Sequence, residues 1–129
     1  MGLFNKLFGG SAEPKEEKQL PWIPLKDLQQ LNVISENSSN KTQLIFKHST
    51  RCGISKMVMN QFIDAYAFNE KDVDLYYLDL LNYRDISNEV GGKFQVMHES
   101  PQLLVIKNGI AVAHASHGQI NEMDLNRFL

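Results

Sequence analysis

Cys52 is the one cysteine in a chain of 129 residues, and it stands in Lys47-His48-Ser49-Thr50-Arg51-Cys52-Gly53-Ile54-Ser55. The apolar run Leu44-Ile45-Phe46 precedes it, and Ile54, Val58, Phe62 and Ala65 follow at the spacing of one helical face. A thiol at such a strand-to-helix junction lies beside unpaired backbone N–H groups and the positive end of a helix dipole, both of which favour thiolate. A free thiol with a pKa near 8.5 is only about 3% thiolate at pH 7. Lowering that value by about 1.5 units takes roughly 2 kcal/mol, of which a helix N-terminus supplies about 0.3–1 kcal/mol. Arg51 and Lys56 are the charges at hand for the remainder. The plain alternative is a cysteine packed as a small hydrophobe. Ser49, Thr50, Arg51 and Gly53 are polar, cationic or permissive, unlike the lining of a core.

Ser55 stands three residues after Cys52, where a second thiol would close an internal disulfide. A hydroxyl there can donate a hydrogen bond to the Cys52 sulfur, but it cannot resolve a mixed disulfide. Any redox cycle must therefore finish with an outside thiol. Metal chemistry has less support. His114 and His117, three apart on a strand, point to opposite faces. His48 and the lone thiolate fall short of a zinc ligand set. No metal site is expected, and His48 is left as a residue that could tune Cys52.

These side chains need a frame. Leu25, Leu28, Leu31 and Ile34 have helical spacing. Strands are expected at 42–47, 72–80, 102–106 and 110–117, with a helix from Gly53 to about Phe68. A further helix carries Ile86, Val90 and Phe94, disturbed by Gly91-Gly92, and a closing helix carries Ile120, Asp124, Leu125 and Phe128. Asn108-Gly109 is a strong hairpin signal. The β-α-β-α-β-β-α order implies a mixed α/β sheet of about four strands flanked by helices, its first crossover parallel and its last hairpin antiparallel.

Composition sets outer bounds. The length suits one domain, with residues 1–20 read as a flexible N-terminal tail and 21–129 as the domain. Leu3, Phe4, Leu7 and Phe8 give the tail a short apolar face, and Gly9-Gly10-Ser11-Ala12-Glu13-Pro14 breaks any helix. A formal net charge of -2 gives no sign of nucleic-acid binding. No apolar run reaches the ~20 residues of a membrane span. A free thiol fits a reducing cytoplasm.

The order of elements, with Gly92, Val96, Pro101, Lys107-Asn108-Gly109 and Gly118 following the cysteine, resembles the thioredoxin-like fold over roughly residues 22–129. The segment Phe46-Lys47-His48-Ser49-Thr50 through Cys52 and Ile54-Ser55 narrows this, together with His98-Glu99-Ser100-Pro101-Gln102. With Trp22, Leu31 and Ser116-His117-Gly118-Gln119-Ile120, it resembles the monothiol bacilliredoxin family. Members commonly carry Pro after the cysteine, where this chain has Gly53. The resemblance implies removal of bacillithiol, a cysteinyl glucosamine malate thiol, from client proteins that carry it as a mixed disulfide. Cys52 would be the nucleophile, with Ser55 and Arg51 assisting. Pro101, held cis, would bring the Ser100 backbone to the substrate disulfide. Thr50, Gly53 and Lys47 would join it in substrate binding, with Arg51, Lys47 and the region of Gly118 as a cradle for the malate carboxylates. Bacillithiol would be a co-substrate, no cofactor would be tightly bound, and the protein would act as a monomer. Two alternatives stand beside this. Cys-Gly-Ile-Ser is one residue from the Cys-Gly-Phe-Ser motif of monothiol glutaredoxins that carry a [2Fe–2S] cluster, although the Gly-Gly-x-Asp motif is missing. A thioredoxin-fold adaptor in which Cys52 is incidental is the other.

Overall fold

A computed structural model describes residues 18–129; the apolar face and break expected within the first seventeen residues lie outside the described part. Five strands are present: β1 (Trp22–Pro24), β2 (Thr42–His48), β3 (Val73–Asp79), β4 (Gln102–Lys107) and β5 (Ile110–Ser116). They form one mixed sheet in the order β1-β3-β2-β4-β5. The β1–β3 and β2–β3 pairs are parallel, while β2–β4 and β4–β5 are antiparallel. This is the thioredoxin-like architecture with one strand more than the sequence indicated. The added strand, β1, has only three residues and ends on Pro24. An edge strand tolerates proline, which cannot donate to a ladder, and the short segment has no room to show a period of two.

Three helices cover the sheet: α1 (Gln30–Asn37), α2 (Gly53–Ala65) and α3 (Arg84–Phe94). α1 starts later than the apolar spacing suggests. Leu25 is still extended, its N–H donating to Tyr77 O at 2.8 Å. Gln30 Oε1 then accepts from the N–H groups of Lys26 (2.8 Å) and Asp27 (3.0 Å), stabilising a turn in place of the first helical residues. α3 runs through Gly91 and Gly92 unbroken. A Cβ on Gly91 would stand 3.1 Å from Val96 O, so glycine there permits a close return of the chain. The closing helix is replaced by two 3-10 turns, His117–Glu122 and Leu125–Phe128. Met123 and Asp124 are extended between them, and the Asp124 carboxylate accepts from Asn126 N–H, a local bond that competes with a continuous helix.

β2 is central and buried along its whole length. Leu44 and Phe46 pack with Val58, Phe62 and Tyr66 of the α2 side. Ile45 packs with Leu31, Ile34, Ile86, Val90 and Phe94 beneath α1 and α3. Phe46 meets Phe62 at 5.0 Å between ring centroids and Trp22 edge-on at 6.0 Å. The alternation continues to the end of the strand, so Lys47 follows Ile45 toward α3 and His48 follows Phe46 toward α2. The hairpin signal holds: Asn108 (φ 54°) and Gly109 (φ 80°) both adopt the left-handed backbone of a tight two-residue turn.

Candidate active site

Cys52 is the N-cap of α2, with an extended backbone (φ −106°, ψ 120°). Its N–H donates to Ser49 O at 3.2 Å and its carbonyl accepts from Lys56 N–H at 3.1 Å. The residue is partly exposed and free, so the thiol sits at the mouth of the helix where anions are favoured. Gly53 follows at the first helical position, with no atom within 4 Å of a Cβ built there and no positive φ. Nothing in the backbone requires glycine, and proline is at home at a first helical position.

Ser55 is placed differently from the expectation that its hydroxyl serves the sulfur. It is fully buried. Its Oγ accepts from Ser49 N–H at 3.1 Å and is hydrogen-bonded to His48 Nδ1 at 2.8 Å. Among the described residues no hydrogen bond joins it to Cys52. Burial lowers the pKa of His48, with Asp79 opposing and Lys56 adding to the fall, so the ring is held neutral at pH 7. Ser55 and His48 thus tie the end of β2, the loop and the first turn of α2 into one unit.

Lys47 also departs from expectation. It is fully buried, and its ammonium donates to Ser87 O at 3.4 Å and contacts His98 Nδ1 at 3.3 Å. No carboxylate answers it: the one salt bridge among the described residues joins Lys41 and Asp74. Burial lowers the Lys47 pKa to about 8. His98 is lowered first by burial, then by Lys47 and Arg84, with Glu99 opposing. A side chain so enclosed cannot reach out to a substrate carboxylate, and that expectation is corrected. A signal was present in the sequence, because Lys47 directly follows the apolar run Leu44-Ile45-Phe46 and shares the parity of Ile45.

The Ser100–Pro101 peptide is cis, as expected. Pro101 O accepts from His117 N–H at 3.0 Å. Gln102 Nε2 donates to Met97 O at 2.9 Å, and Ser116 Oγ hydrogen-bonds to the Glu99 carboxylate. Ser100 Oγ is buried without a hydrogen-bond partner. The loop is therefore pinned to β4 and β5. Arg51 and Thr50 are exposed beside Cys52 and line a polar cleft of about 340 Å³ with Leu81, Asn82 and Arg84. Arg84 and Asn82 were not singled out from the sequence, since they lie thirty residues away on the far side of β3.

Against known proteins, the profile of the family described as monothiol bacilliredoxin BrxC matches residues 23–125. This chain belongs to that family. A solved thioredoxin-fold protein described as a candidate oxidoreductase is 36% identical, with a TM-score of 0.69 over 83% of this chain and 92% of that one. Thioredoxin h of Nicotiana alata is 26% identical (TM-score 0.59, 88% and 91% covered). Malassezia sympodialis thioredoxin, at 18% identity (TM-score 0.61, 83% and 86% covered), shares the fold. The bacilliredoxin is thus a monothiol, thioredoxin-fold oxidoreductase, and membership favours that reading over the cluster carrier or the adaptor.

Proposed function

We propose that this bacilliredoxin removes bacillithiol from S-bacillithiolated client proteins by thiol–disulfide exchange at Cys52. The observation that carries the reading is a single, partly exposed thiol at the N-cap of α2, with Ser55 where a resolving thiol would otherwise stand. The Cys52 thiolate attacks the bacillithiol sulfur of the client's mixed disulfide. A Cys52–bacillithiol disulfide forms and the client leaves as thiolate. A second bacillithiol thiolate then attacks that adduct, releasing Cys52 as thiolate and the symmetric bacillithiol disulfide, so the client thiol is regenerated as one free bacillithiol is oxidised. Cys52 presents its sulfur at the N-cap of α2, with Arg51 exposed beside it. Gly53 and Thr50 leave the approach to it open, and the backbone of Ser100 before cis-Pro101 offers its peptide groups to the substrate disulfide. Ser55 and His48 position the loop. The protein works as a monomer in a reducing cytoplasm with no tightly held cofactor, and no helix of its described residues is long and apolar enough to cross a membrane.

The reading is tested by incubating reduced protein with bacillithiol disulfide or glutathione disulfide and weighing it intact. A single adduct from the bacillithiol disulfide alone, lost in Cys52→Ala, is expected. Failure of both disulfides to label Cys52 at neutral pH would refute the redox mechanism.

A further inference from the structure

The cleft beside Cys52 is lined by two arginines from separate elements. Arg51 comes from the loop before α2, and Arg84 is the first residue of α3. Both are exposed, and neither takes part in a salt bridge among the described residues. Two like charges facing one cleft repel unless an anion comes between them. The rest of the lining suits such an anion: Thr50 offers a hydroxyl and Asn82 a side-chain amide. The acidic groups nearby do not fill it. Asp79 accepts from Asn82 Nδ2 at 2.7 Å, and its other carboxylate oxygen is buried. Asp85 lies in the first turn of α3 and is exposed. The charge of Arg84 also reaches His98 of the cis-proline loop, after burial and Lys47 the next cause of its lowered pKa. Arg84 therefore stands between the two loops that frame the site.

We propose that the cleft of Thr50, Arg51, Asn82 and Arg84 is the subsite that holds the carboxylates of the low-molecular-weight thiol while its sulfur exchanges at Cys52. This rests on the proposed function and names how that same site selects its co-substrate: a thiol carrying a dicarboxylate. Guanidinium forks bind carboxylates through paired N–H···O bonds, which a lone ammonium cannot reproduce. The recognition element is therefore the arginine pair, in place of the buried Lys47. Selectivity should fall with rising salt, because the pair is solvent-exposed.

The test compares second-order rates of Cys52 modification by bacillithiol disulfide and by the neutral bis(2-hydroxyethyl) disulfide, read by intact mass. The ratio of the two rates is expected to fall about tenfold in Arg84→Gln, the effect of losing one charge-assisted contact, and to be partly restored in Arg84→Lys. A ratio unchanged in Arg84→Gln, with both rates the same as or equally slower than in the wild type, overturns the proposal. A third arm uses 5,5′-dithiobis(2-nitrobenzoate), a dicarboxylate disulfide without malate. Wild-type protein that shows no preference for bacillithiol disulfide defeats the proposed function. A preference for the aromatic dicarboxylate that disappears in Arg84→Gln would still sustain a subsite for carboxylate-bearing thiols.

Discussion

Lys47→Met should make the folded protein more stable at pH 7. The ammonium is fully buried and meets only a carbonyl and an imidazole nitrogen. Its pKa falls from 10.5 to about 8, which at 1.36 kcal/mol per pH unit amounts to a burial penalty of roughly 3 kcal/mol. Methionine keeps much of the volume without the charge, and the two hydrogen bonds lost offset about 1 kcal/mol. A net gain of about 2 kcal/mol follows, in line with other replacements of buried charge by apolar groups. The sign with pH is fixed by linkage. Below pH 8 both folded and unfolded chains carry the proton and the penalty is complete. Between pH 8 and 10.5 the folded protein has released a proton that the unfolded chain keeps, so wild-type stability rises with pH. The mutant's advantage should therefore narrow by about 2 kcal/mol from pH 7 to pH 9.5. Urea unfolding of both proteins under reducing conditions at pH 7, 8.5 and 9.5 measures it. Tyrosines, Tyr66 among them with its pKa raised by burial to about 12, titrate alike in both proteins and cancel in the difference. A difference that stays constant across this window, or a mutant less stable at pH 7, would refute the account of Lys47.

Ser55→Ala should cost about 1–3 kcal/mol of stability, because it strips a buried acceptor from Ser49 N–H and a partner from His48 Nδ1. It should change the rate of Cys52 alkylation by iodoacetamide across pH 6–9 far less than it changes the urea midpoint. A rate profile displaced by more than one pH unit with stability intact would restore Ser55 as a direct partner of the sulfur. Gly109→Ala places a Cβ at φ 80°, 3.4 Å from Ser35 Oγ, and should cost about 1 kcal/mol through left-handed strain. Thermal unfolding checks it, and an unchanged midpoint would count against a turn that depends on glycine.

The linear sequence by itself determined the elements whose signal is local. The continuous apolar runs inside Thr42–His48 and Gln102–Lys107, the Asn108-Gly109 turn and the helix after Cys52, with Val58 and Phe62 on its buried face, all depend on neighbours within a few residues. So did the place of Cys52 at a helix start, and the family resemblance carried by the residues around it and around Pro101. Local competition escaped the periodic pattern: the turn before α1, the edge strand β1 and the 3-10 ending were each decided by hydrogen bonds that do not follow a repeat. Partnership across the fold was decided by tertiary structure alone. Strand alternation puts two adjacent residues, Lys47 and His48, on opposite faces of β2, and the pairing of β2 between β3 and β4 under helices makes both faces interior. One is thereby enclosed with Ser87 and His98, and the other is joined to Ser55. The same topology carries Arg84 back beside Arg51. A charge in a sequence has a sign but no address. Only packing sets how much water it loses and which charges it faces, and those two quantities decide whether a lysine is a buried cation or an arginine part of an anion site.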